Sequence, residues 1–103
     1  HGGAIAAVLD EAMGSACWVQ GHRVLAGTLQ IVYRQPLPLD RVATVTTSLT
    51  DVGQRKVLTA GRIESPLGLH AEATGVFVRL SPEFEAAFEQ AMSSGDYRPP
   101  HRY

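Results

Sequence analysis

The first fourteen residues, HGGAIAAVLDEAMG, set two glycines in front of a run of small and apolar residues, then place Asp10 and Glu11 in its middle. The run predicts a helix meant for burial. Its many alanines keep that helix thin, so strands can approach it closely. A carboxylate in such a helix is costly unless it has a partner or a task. The glycines leave bare backbone N–H groups at the helix start, where a developing negative charge is stabilised. A carboxylate and an anion-stabilising terminus in one short segment point to acyl-transfer chemistry.

The 103 residues predict one domain, spanning 1–103, with a single modest core. A net charge of −1 and a pI near 6.5 argue against a nucleic-acid partner. No run is long and apolar enough to predict a membrane-crossing helix. The single cysteine, Cys17, excludes an internal disulfide and suits a reducing, cytoplasmic setting. Because the sequence opens on His, it reads as part of a longer protein with a segment missing upstream.

Residues 4–18 read as the helix, apolar on nearly every side and therefore central, with Gly21 as its C-terminal cap. Four strand-like segments follow. In 24–34, Leu25, Leu29, Ile31 and Tyr33 alternate with Thr28, Gln30 and Arg34, the period of a half-buried strand. Residues 41–50, 56–64 and 69–80 are the others, the last with Leu69, Ala71, Ala73 and Phe77 on one face. Short connections predict antiparallel neighbours. Gly61 and Gly75, inside strands, mark close backbone approaches. Residues 82–93 predict a second, amphipathic helix opened by Ser81-Pro82-Glu83, and 96–103 a loose tail.

A thin helix followed by an antiparallel sheet that wraps it resembles the hotdog fold, an α+β architecture. His1-Gly2-Gly3-Ala4 with Leu9-Asp10-Glu11-Ala12-Met13-Gly14 resembles the HGG motif of hotdog acyl-CoA thioesterases of the phenylacetate-pathway type. Tyr33-Arg34-Gln35-Pro36-Leu37-Pro38-Leu39 resembles the segment ending that family's next strand, and 71–78 its last core strand. The resemblance covers residues 1 to about 80 in order. It departs at two places. The first strand, usual before the HGG, is missing upstream. The position where some members carry a Ser or Thr to orient the attacking water falls at Ala26, with Thr28 a poor substitute.

The resemblance implies hydrolysis of an acyl-CoA thioester without a cofactor, and His22, His70 and His101, with no metal-ligand spacing to Cys or carboxylates, predict no metal. The resemblance implies that Asp10 acts as general base or nucleophile and that the Gly2 N–H binds the thioester oxygen. A carboxylate can deprotonate the attacking water or attack the carbonyl itself, and the helix start stabilises the oxyanion. His1 and Gly3 are candidate substrate contacts. Gln54, Arg55 and Lys56, at a turn, either meet CoA phosphates or form a solvated turn. Glu11 competes with Asp10; about 100° apart on a helix, only one is expected to face a given site. Cys17 reads as a packed thiol. Trp18 and Tyr33 read as core or interface residues.

Gly2 and Asp10 lie eight positions apart, roughly 12 Å along a helix axis. They cannot both touch one carbonyl carbon. If both act, Gly2 of one subunit meets Asp10 of another. This predicts a homodimer with shared active sites, and the resemblance implies a homotetramer as the full assembly. The competing expectation is a non-catalytic acyl-CoA-binding protein, a sensor or assembly module. A hydratase would need an Asp-x4-His pair that the sequence lacks.

Overall fold

The computed structural model describes residues 2–94. Helix α1 (Gly2–Val19) is followed by strands β1 (Val24–Tyr33), β2 (Thr44–Val52), β3 (Lys56–Ser65) and β4 (Gly68–Arg79), and by helix α2 (Pro82–Ser94). The strands form one antiparallel sheet in the order β1-β4-β3-β2. The tight β2–β3 and β3–β4 turns give hairpins, as short connections demand. β1 departs from simple succession. The connection after it, residues 34–43, carries the chain across the sheet, so β1 pairs with β4 and β2 takes the far edge.

Helix α1 lies across all four strands. It buries Ile5, Leu9, Met13 and Cys17, a stripe four residues apart, against Val24, Val57, Ile63, Ala71, Ala73 and Phe77. Each fully buried Leu or Met side chain contributes about 1.5–3 kcal/mol. The expectation of a helix buried on every side is corrected within the single chain. Val8 is 44% exposed and Trp18 46%, because four strands cover only one side of the helix. The helix ends as its glycine predicts. Gly21 has φ +87°, the Gly21 N–H donates to Trp18 O and the His22 N–H to Cys17 O, which together close a Schellman cap.

Two bulges correct the face assignments. Pairing slips between Ala26 and Thr28, with Gly27 as the extra residue. Leu25 therefore pairs with exposed Val78, on the face opposite Leu29, Ile31 and Tyr33. In β4 the pairing passes from Ala71 to Leu69 without His70, so Leu69 leaves the face of Ala71 and Ala73. An extra residue reverses the alternation beyond it. The strand glycines do mark close approaches: a Cβ on Gly61 would come within 3.1 Å of the Met13 side chain.

Helix α2 starts where Ser81-Pro82 predicts. The Phe84 N–H donates to Ser81 Oγ (3.1 Å), an N-cap in front of Pro at the first helical position. None of its residues is buried. Arg23 joins it to the rest of the fold through Glu85 (3.5 Å) and Glu89 (3.1 Å). The tail expected over 96–103 lies outside the described residues.

Candidate active site

Asp10 stands midway along α1, half-buried, one position after fully buried Leu9. It borders a groove of about 420 Å³ lined also by Ala7, Glu11, Gly14, Trp18, Val24, Leu25, Ala26 and Phe77. Ala7, Trp18, Leu25, Ala26 and Phe77 give the groove an apolar side and the two carboxylates a polar one, a mixed lining that suits an acyl group with a polarised carbonyl. The groove corrects one expectation: Asp10 and Glu11 both line it, since a turn of about 100° still leaves two neighbours on the rim of one broad hollow. Asp10 is the more enclosed of the two. Ala26 occupies the wall facing this helix, whereas Thr28, beyond the Gly27 bulge, pairs with Val76 on the other face of the sheet.

Gly2 and Gly3 form the first turn of α1, at the opposite end from the Gly21 cap. The Tyr33 hydroxyl, at the end of β1, donates to the Gly2 carbonyl (2.9 Å). Gly2 and Asp10 thus belong to one continuous helix, two turns apart, and a single chain does not bring them together. His1 lies outside the described residues.

Gln54 and Arg55 are exposed on the β2–β3 turn, and Lys56, also exposed, opens β3 beside them. Arg79 fixes that turn: its backbone N–H donates to Arg55 O (3.0 Å) and its Nε–H to Gly53 O (3.0 Å). Its guanidinium also meets His22 Nδ1 at 3.2 Å. Lys56 pairs with Val78, and Val78 with Leu25, which places the turn at the end of the sheet where β1 begins. The start of α1 is at the other end, beside Tyr33.

One group carries no sequence signal of its role. His70 is fully buried, its Nδ1 3.0 Å from Pro36 O and its Nε2 2.6 Å from Ser65 Oγ. Its carbonyl accepts the Arg34 and Gln35 N–H groups, so it anchors the connection that leaves β1. Burial pushes the Cys17 thiol above its ordinary pKa, and the charge of Arg79 partly offsets this. A neutral packed thiol follows, in keeping with the sequence reading. Among the described residues, no group of three or more His, Cys, Asp or Glu is placed to hold a metal ion, and no helix is long and apolar enough to cross a membrane.

Residues 1–68 match the thioesterase superfamily. Acyl-coenzyme A thioesterase THEM4 of Mus musculus is 35% identical over 85 residues, covering 81% of this chain and 36% of that protein. The chain spans about a third of the length of the curated relatives it matches first. Among solved structures, the BH2602 protein from Bacillus halodurans, crystallised with CoA, superposes with a TM-score of 0.70 at 28% identity, over 78% of this chain and 55% of that one. Protein RHA08564, a thioesterase superfamily protein, superposes with a TM-score of 0.71 at 35% identity, over 76% of this chain and 39% of that one. By sequence and by its hotdog fold, the chain belongs to the thioesterase superfamily.

Proposed function

We propose that this chain hydrolyses an acyl-CoA thioester to free acid and CoA. The observation that carries the reading is the half-buried Asp10 carboxylate on the rim of a groove walled by Trp18, Leu25, Ala26 and Phe77. The names of the THEM4 relatives and the CoA bound to BH2602 support the substrate class. The HGG residues support the phenylacetate-pathway type.

In this reading Asp10 has one of two roles. As general base it takes a proton from water while the water oxygen bonds to the carbonyl carbon. As nucleophile its own oxygen forms that bond, giving an anhydride that water then opens. Either way the C–S bond breaks, CoA leaves as thiolate and takes up a proton. The developing oxyanion is met by the Gly2 N–H of a second subunit, helped by the helix dipole. This requires a homodimer with shared sites, and a homotetramer is the full assembly we propose. Gly3 and His1 complete the acyl end. Gln54, Arg55 and Lys56 reach the CoA phosphates. No cofactor or metal takes part, and the setting is cytoplasmic.

One observation favours the second reading, a non-catalytic acyl-CoA-binding protein: Ala26 lines the Asp10 groove where a water-orienting hydroxyl would stand. Thiol release from a panel of aromatic and aliphatic acyl-CoAs separates the two. Turnover of at least one class supports the enzyme. Saturable binding without turnover across the panel supports the binding module.

A further inference from the structure

We propose that Tyr33 is a positioning residue for the oxyanion-binding turn. The proposal rests on the reading of Gly2 and Gly3 as the acyl end of the site. Its observation is the Tyr33 hydroxyl donating to the Gly2 carbonyl at 2.9 Å, with the ring alongside: a Cβ on Gly2 would lie 3.7 Å from Tyr33 Cε1 and Cζ.

The Gly2 carbonyl and the Gly3 N–H belong to one planar trans peptide unit. Holding the carbonyl oxygen fixes the direction of the Gly3 N–H on its far side, and leaves the Gly2 N–H, the proposed oxyanion donor, only the rotations of Gly2 itself. Consecutive glycines have the widest backbone freedom of any pair, and Gly2, Gly3 and Ala4 are all exposed. The first buried side chain of α1 is Ile5. Side-chain packing therefore holds the helix from Ile5 onward and does not reach the two glycines. Tyr33 adds a restraint on them from the sheet.

Tyr33 is itself held from the sheet. It pairs with fully buried Ala71, and the next two N–H groups, of Arg34 and Gln35, donate to the carbonyl of buried His70. The Gln35 side-chain amide adds bonds to Leu67 O (3.1 Å) and Leu69 O (3.0 Å). The glycine turn is thus referenced to the rigid interior of β4 through one hydroxyl. Donors that stabilise an oxyanion act through fixed orientation, so their value is realised in the transition state and is small in the ground state.

The test is Tyr33→Phe, which keeps the ring against Gly2 and removes only the hydroxyl. The expected result is a fall in kcat of about tenfold with KM for acyl-CoA within about twofold. Nitrogen relaxation should show the Gly3 amide losing order, toward the order parameters below about 0.6 of flexible backbone, while amides from Leu9 onward keep theirs. A kcat within twofold of wild type, or an unchanged Gly3 order parameter, overturns the proposal. So does a parallel fall in kcat, rise in KM and loss of order along the whole helix, which marks a general structural role. A wild-type chain that turns over no acyl-CoA overturns the reading of the site instead, and the relaxation measurement still decides whether Tyr33 holds the turn.

Discussion

Met13 of α1 rests over Gly75 of β4: a Cβ on that glycine would come 3.0 Å from the Met13 methyl, and closer still to the Phe77 ring and Thr59 Oγ1, at 2.8 and 2.9 Å. The helix that carries Asp10 sits at its height above the sheet because strand positions 61 and 75 lack side chains. Gly75→Ala should destabilise the fold by about 1–3 kcal/mol, the usual cost of overpacking. Gly61→Ala should cost less, since its clash is with the flexible Met13 thioether alone among side chains under 3.4 Å. Urea unfolding of both variants checks the order; equal stability to wild type for Gly75→Ala would contradict it.

Cys17 couples the core to pH. Burial raises its thiol above the ordinary 9.0. A raised folded pKa gives stability that is complete below the unfolded pKa and lost as pH rises through the folded one. Wild type should therefore lose more stability than Cys17→Ala between pH 8 and pH 10.5, with other titrating groups common to both. Denaturation curves at the two pH values read the difference, and parallel losses would contradict it.

The cationic turn makes a kinetic prediction. Replacing Arg55 and Lys56 by neutral residues should raise KM for acyl-CoA several-fold and leave an acyl-pantetheine substrate, which lacks the nucleotide phosphates, nearly unaffected. The effect on KM should shrink at high salt, as exposed charges are screened. Equal effects on both substrates would remove the turn from CoA recognition.

The two-turn separation of Gly2 and Asp10 on α1 predicts complementation. Asp10→Asn subunits and Gly2→Pro subunits, the latter lacking the N–H, should each be inactive while folded and dimeric. Mixed dimers should regain one working site, built from Gly2 of the first variant and Asp10 of the second. Verified mixed dimers without activity would contradict a site shared between subunits.

Much of the fold was legible from local chemistry. The α1 boundaries follow from apolar content and the Gly21 cap, and α2 from Ser81-Pro82. The glycines at 61 and 75 pointed to close helix–strand contact before any contact was seen. What escaped the sequence was set by register. Leu25 and Leu69 lie at even spacing from their neighbours, but the extra residues Gly27 and His70 turn them to the other face. A bulge is a long-range pairing event and leaves no period in one strand. The placement of β1 beside β4 escaped for the same reason, because the short break between the strand-like segments 24–34 and 41–50 predicts neighbours and acts as a crossover.

The site was legible in its residue types and not in its assembly. Asp10 stood out as a carboxylate in an apolar helix, and the groove around it is built by Trp18 and Val24–Ala26, which only the fold brings there. Tyr33 offered an aromatic at a strand end, with nothing local to show that its hydroxyl meets Gly2, 31 residues away. His70 gave no metal spacing, and its work in holding Pro36 and Ser65 depends on the bulge that buries it.

The central claim is that the Asp10 carboxylate drives thioester hydrolysis, and the steady-state kinetics of Asp10→Asn beside Glu11→Gln test it most directly. Asn keeps the size of Asp and one accepting oxygen, and removes its charge and basicity. The account predicts that kcat falls by at least about a hundredfold in Asp10→Asn, the scale of a lost general base or nucleophile, with KM little changed, and that Glu11→Gln stays within a few-fold of wild type. An Asp10→Asn variant active to within a few-fold of wild type, with the loss appearing in Glu11→Gln, would contradict it and assign the chemistry to Glu11.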